Sequence, residues 1–71
     1  MTRTDRTAAL ADTAFDKGVA HANARRLFTA VRCFVDAHQY GHPIAARYLR
    51  ALRPYCDDLT FGMVAADIIR R

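Results

Sequence analysis

Hydrophobic residues recur along this chain at the three- and four-residue spacing of amphipathic helices, and no stretch alternates with the two-residue period of a strand. Gly18, Gly41 and Pro54 divide the pattern into segments, because glycine and proline commonly end helices. We therefore predict an all-α fold, a compact bundle of about four helices that forms one domain over residues 1–71. The predicted helices span approximately residues 5–17, 19–40, 43–53 and 59–70. The pattern leaves open whether the first two are continuous and where the second begins, since Asn23 can itself be an N-cap.

The first predicted helix has an inward side made mostly of alanine. Thr4 or Asp5 can cap its start, and Gly18 can close its end. Alanine lets a neighbouring helix approach closely but contributes little apolar area. We therefore expect this helix to be the first to fray. Its apolar positions are Ala8, Leu10, Ala11, Ala14 and Phe15.

The second predicted helix carries two apolar stripes, which indicates a central helix that packs against neighbours on two sides. Arg32 and Asp36 are among the residues left for solvent. The stripe of larger side chains consists of Leu27, Phe28, Val31, Phe34, Val35 and His38, and the stripe of smaller ones consists of Ala30, Cys33, Ala37 and Tyr40.

The third predicted helix separates its apolar residues from a row of arginines. Pro43 suits its first turn, and the residue before Pro54 disfavours helical geometry, so the helix should stop there. Arg47, Arg50 and Arg53 span about 120° on the side opposite the apolar face. Such a row can contact phosphates or carboxylates, and it can equally be an ordinary solvated face.

The last predicted helix is apolar over more than half of its circumference. Asp57, Asp58 or Thr60 can cap its start. One apolar set can close the core, so the other is either exposed as an interaction site or covered by the rest of the bundle. One set is Phe61, Val64 and Ile68, the other is Leu59, Ala66 and Ile69, and the remaining strip is Met63, Asp67, Arg70 and Arg71.

Composition and charge narrow the class of partner. The chain has 71 residues, 52% of them hydrophobic, and a net charge of +4. The charge mildly favours an anionic partner, either a nucleic acid or an acidic protein surface. No apolar run reaches the length of a membrane span, and the polar first residues lack the apolar core of a signal peptide. We therefore expect a cytoplasmic protein without membrane contact.

Candidate chemical groups are few. His38 and His42 stand four residues apart, but a glycine and a proline interrupt the helix that such a metal-binding pair needs, and His38 is expected to be a buried neutral histidine. Cys33 and Cys56 are too few for a disulfide framework and are expected to be reduced. The chain has no serine and no glutamate, and so small a bundle has little room for a substrate cavity. We therefore predict no metal site, no cofactor, no small-molecule substrate and no enzymatic activity.

These features predict a small non-enzymatic regulatory or adaptor protein that binds another macromolecule, with a protein favoured as the partner. Its size fits an inhibitor or anti-activator that occludes the surface of a larger protein, and the partner can also be a second copy, since two-fold homodimers are the commonest assembly. The alternative is a helix-turn-helix-like regulator that inserts the arginine helix into the major groove of DNA. The predicted partner-binding residues are Arg47, Arg50, Arg53, Tyr55, Phe61, Val64, Ile68 and Ile69.

Overall fold

A computed structural model describes residues 5–70 of the chain, with side chains from Thr7 onward. The elements in this range are α1 (Asp5–Asn23), α2 (Leu27–Gln39), α3 (Ala45–Leu52), a 3₁₀ turn (Arg53–Tyr55), α4 (Asp58–Phe61) and α5 (Met63–Arg70). All of them are helical, so the predicted all-α bundle is confirmed. The predicted central helix is confirmed as well, because α2 contacts α1, α3, α4 and α5.

Gly18 lies inside α1 rather than at its end, so the predicted boundary between the first two helices is wrong. The glycine is buried, and an ideal Cβ built on it would lie only 2.7 Å from Cε1 of Phe34. A side chain at this position would overlap the aromatic ring. Glycine therefore serves here to let α1 approach α2 closely, and the helix continues through it.

α1 ends at Asn23, five residues after that glycine, and the chain leaves it through a Schellman motif. Arg25 adopts a φ of 65°, in the left-handed region that favours glycine. The amide of Arg26 donates to the carbonyl oxygen of His21 at 2.8 Å. The amide of Arg25 donates to the carbonyl oxygen of Ala22 at 3.0 Å. The helix predicted over residues 19–40 is therefore divided at this turn. The first two helices are separate, and their boundary lies at residues 24–26.

An aromatic cluster joins α1, α2 and α3. The ring centre of Phe15 lies 5.4 Å from that of Phe34 and 4.7 Å from that of Tyr48. Phe15 also stacks on His42, whose ring centre is 4.1 Å away and whose plane is nearly parallel. Phe34 and Tyr48 are in contact with each other at 5.4 Å. Phe15 thus supplies the apolar anchor that the alanine-rich side of α1 otherwise lacks.

The third helix is shorter than predicted. α3 begins at Ala45, and Pro43 belongs to the turn before it. Its predicted apolar face is confirmed in part. Ala45 and Leu49 are fully buried, whereas Ile44 and Tyr48 are each 39% exposed. The α-helix ends at Leu52 and continues as the 3₁₀ turn, where Pro54 can be accommodated without an amide hydrogen bond.

The last predicted helix is divided into two. Gly62, at a φ of 83°, separates α4 from α5 where one continuous helix was predicted. The predicted cap at Asp57 is confirmed, because its carboxylate accepts a hydrogen bond from the amide of Thr60 at 2.7 Å. Hydrogen bonds from the hydroxyl and the amide of Thr60 hold the pKa of Asp57 below its usual range. The cap predicted for the first helix, at Thr4 or Asp5, lies outside the side chains that the structure describes.

The molecule is thin, and this decides the environment of its last helix. Its principal extents are 35 × 27 × 15 Å. A helix with its side chains is about 10 Å across, so the short dimension leaves no room to enclose a helix on every side. The alternative in which the last helix is buried on both sides is therefore not the one that the fold adopts. The buried core cluster consists of Ala30, Val31, Phe34, Leu49, Cys56, Phe61, Ala65 and Ile68.

Candidate protein-binding groove

The predicted arginine row does not consist of three equivalent side chains. Arg47 and Arg50 are exposed on α3. Arg53 is partly buried, and its guanidinium donates to the carbonyl oxygen of Cys56 at 2.9 Å and to Oδ1 of Asp58 at 2.5 Å. It also lies 5.2 Å from the centre of a phenylalanine ring in α4. Arg53 therefore connects the 3₁₀ turn to α4, which makes it a structural residue first.

The predicted apolar residues of the last helix are distributed over three environments. Phe61 and Ile68 are buried in the core, so they are not available to a partner in this conformation. Ile69 is half-buried and packs against the core cluster. Val64 is 56% exposed, and Tyr55, in the 3₁₀ turn, is 72% exposed. Of the four predicted partner-binding residues in α4 and α5, Val64 alone lies mainly at the surface.

Four of the exposed apolar residues lie around a groove of about 370 Å³ between α2 and the α4–α5 segment. Leu59 and Met63 are 90% and 89% exposed, and Val64 and Phe28 are each more than half exposed. We call Leu59, Met63 and Val64 the α4–α5 ridge. Core residues form the floor of the groove. The lining residues are Phe28, Val31, Arg32, Val35, Asp36, Gln39, Leu59, Thr60, Phe61, Gly62, Met63, Val64 and Ala65.

The break at Gly62 explains why the ridge is exposed. A φ of 83° with a ψ of 160° is accessible to glycine and strained for other residues. It ends α4 and starts α5 in a new direction, so Leu59 and Met63 lie on either side of a corner rather than on one continuous helix. An ideal Cβ on this glycine would meet no atom within 4 Å, so its role is conformational.

An ordered row of exposed residues runs along α2 to its C-cap, and its first three members line the opposite wall of the groove. Phe28, Arg32, Asp36 and Tyr40 follow one another at four-residue intervals, and all four are exposed. The guanidinium carbon of Arg32 lies 6.0 Å from the centre of the Phe28 ring. Side chains four residues apart form a ridge along a helix surface. We call this row the α2 stripe.

A smaller cleft of about 280 Å³ lies on the other side of the α4–α5 ridge. Arg53, Asp58 and Arg70 line it, together with Met63, which lines the groove as well. Met63 therefore separates the two depressions. The groove is the larger of the two and holds the exposed apolar side chains.

The histidines of the central turn occupy different environments. His42 is nearly buried; its Nδ1 accepts the amide hydrogen of Ile44 at 3.3 Å, and its Nε2 lies 3.7 Å from Oδ1 of Asp12. His38, expected to be buried, is half-buried. Within residues 5–70, no group of three or more histidine, cysteine or acidic side chains is arranged to hold a metal ion.

Both cysteines are free thiols in environments that disfavour the thiolate. Burial raises the pKa of Cys33, and the carboxylate of Asp36 raises it further. Burial and Asp57 likewise raise the pKa of Cys56, although the guanidinium of Arg53 acts in the opposite direction. Because the thiolate is the nucleophilic form, both thiols are weak nucleophiles at neutral pH.

Sequence reasoning missed the main contributors to the groove. Phe28 was assigned to the buried stripe of the second helix, and Met63 was assigned to the polar strip of the last one. The signal that could have corrected the assignment of Met63 is Gly62, because a glycine can end a helix. Residues after such a break no longer follow the helical wheel of the preceding helix.

Comparison with known proteins found no matching family model, no similar curated protein and no similar solved structure. In the part of the chain that the structure describes, no helix is both long and apolar enough to cross a membrane. Function is therefore inferred from the groove itself.

Proposed function

We propose that this chain is a small non-enzymatic regulatory or adaptor protein that acts by binding another protein in the groove between α2 and the α4–α5 ridge. The observation that carries the proposal is the exposure of four large apolar side chains around one depression. Burying such a side chain in full contributes about 1.5–3 kcal/mol. Contiguous exposed apolar surface on a small protein usually marks an interaction site. The residues are Phe28, Leu59, Met63 and Val64.

The partner chemistry that fits best is an amphipathic helix of another protein. The groove follows α2 from Phe28 to Gln39, which corresponds to roughly 16 Å or three helical turns. A helix docked along it would place apolar side chains at the i, i+3 or i+4 and i+7 positions against the core floor. Arg32 and Asp36 provide charges of both signs at the rim, which favour the correct register more than they add affinity. A partner helix bound in the groove could not contact its other targets, which is how an inhibitor or anti-activator acts.

The proposal is tested with a groove variant and a surface control. The double variant Leu59→Asp/Met63→Asp places charges on the two most exposed apolar side chains, so the fold should be retained. Tyr55→Asp is the control, because Tyr55 is exposed and lies outside the groove. A partner captured with the wild type is purified and titrated by calorimetry. We expect the groove variant to bind at least about 30-fold more weakly, as for loss of a hot spot, and the control to bind as the wild type does.

Two results would overturn the proposal. One is a purified partner that binds the groove variant as tightly as the wild type. The other is binding to duplex DNA that weakens steeply with salt and is lost in Arg47→Ala/Arg50→Ala, which would favour the DNA-binding alternative through its counterion release.

A further inference from the structure

We infer that, in the absence of its partner, the groove is covered by a second copy of the same chain, related by a two-fold axis that passes α2 midway between Arg32 and Asp36. The inference rests on the proposed function, because it assigns an occupant to the same groove. Two observations carry it, the order of residues along the α2 stripe and the position of the α4–α5 ridge beside that stripe.

The α2 stripe is complementary to itself when reversed. Along α2 it reads aromatic, cation, anion, aromatic. When two α2 helices cross in antiparallel orientation about position 34, residues equidistant from that position face each other. Arg32 then faces Asp36 of the second copy, and Phe28 faces Tyr40 of the second copy. Packing of four-residue ridges against one another is the commonest helix–helix arrangement, so this pairing needs no unusual geometry.

The same axis brings the two ridges together. A two-fold axis in the plane of the contact leaves the α4–α5 ridge on the same side of α2 in both copies. Leu59, Met63 and Val64 line the same groove as Arg32 and Asp36, the residues on either side of the axis, so they lie close to the axis and approach their own equivalents in the isologous contact of a two-fold dimer. A standard interface takes about 800 Å² from each partner. That is roughly a sixth of the 5133 Å² surface of one subunit.

The two parts of the interface have different roles. The apolar ridge supplies most of the affinity, because ion pairs at a solvated rim contribute little. The Arg32–Asp36 pairs set the register, since any other alignment places like charges together or leaves a charge unpaired. Dimer formation and partner docking use the same groove and exclude each other. The dimer is therefore the partner-free form of the protein.

A charge exchange tests this arrangement with the purified full-length chain in sedimentation equilibrium. In Arg32→Asp both stripe charges are negative, and in Asp36→Arg both are positive. Each variant alone should dimerise at least about 10-fold more weakly, because like charges then face each other in two symmetric places. An equimolar mixture of the two variants should form a heterodimer of near wild-type affinity, and the double variant Arg32→Asp/Asp36→Arg should form a homodimer again. Arg50→Asp, on the exposed side of α3, is the control and should not change the association.

Circular dichroism confirms that each variant retains its helices. A wild-type chain that is monomeric at every concentration up to the high micromolar range overturns the inference. A dimer that neither single variant weakens, or a mixture that dimerises no better than its components, overturns it as well. A monomeric result leaves binding of another protein in the groove intact, whereas failure to find any partner leaves the dimer intact, so the two failures are distinguishable.

Discussion

At the scale of single residues, the absence of one methyl group sets how closely α1 and α2 approach. A Cβ at position 18 would lie 2.7 Å from Cε1 of Phe34. The ring cannot yield easily, because it is fully buried and packed against Phe15 and Tyr48. We predict that Gly18→Ala lowers the free energy of unfolding by about 1–2 kcal/mol in urea denaturation. Overpacking costs up to about 3 kcal/mol, which exceeds the gain of about 1 kcal/mol in helix propensity.

The control for this prediction is the same substitution in a Phe34→Leu background. The smaller side chain removes the atoms that the new methyl group would meet, although it destabilises the core by itself. Gly18→Ala should then be neutral or stabilising. An alanine that stabilises the wild-type protein would contradict the close contact.

At the scale of elements, one tertiary contact accounts for the first departure from the predicted helix bounds. Glycine was taken to end a helix because it adopts positive φ without strain. At Gly18 the close contact with Phe34 keeps the glycine helical, and Arg25 adopts the left-handed conformation instead. The hydrophobic pattern does not encode this contact, whereas Asn23, as a possible N-cap, already indicated that a helix could begin near the observed boundary. The amphipathic faces of the second and third helices could be predicted in part. Periodicity correctly placed Phe34 and Leu49 in the core, but it also placed Phe28 there, which is 55% exposed.

The strain at Arg25 gives the element-scale prediction. We expect Arg25→Gly to raise the free energy of unfolding by about 0.5–1 kcal/mol, measured by urea denaturation. The gain is the strain of a left-handed non-glycine residue, about 1–2 kcal/mol, reduced by the greater freedom of glycine in the unfolded chain. Arg25→Ala is the matched control, since it removes the same charge but keeps the strain. Equal stabilities of the two variants would show that the conformation of this turn contributes nothing.

At the scale of the whole molecule, the sequence indicated a surplus of apolar surface near the C-terminus but assigned it to the wrong side chains. The prediction used one continuous helical wheel over residues 59–70. Gly62 divides that wheel, so Phe61 and Ile68 turn into the core while Leu59 and Met63 turn outward. Phe28 joins them from α2, and this contribution depends on which helices become neighbours. The amount of excess apolar surface can be predicted from the sequence, but its location depends on how the helices pack.

The predicted dimer couples this surplus to stability. When only the folded dimer associates, each tenfold rise in protein concentration stabilises the native state by about 1.4 kcal/mol per dimer. For a dimer of this size, that free energy corresponds to a rise of a few degrees in Tm. We expect thermal unfolding of the wild type, followed by circular dichroism at micromolar and then at tenfold higher concentrations, to show this rise. The Arg32→Asp variant should have a lower Tm than the wild type at each concentration, because its weaker dimer contributes less stability at the same concentration. A concentration-independent Tm for the wild type, measured where sedimentation finds dimer, would mean that association adds no stability to the fold.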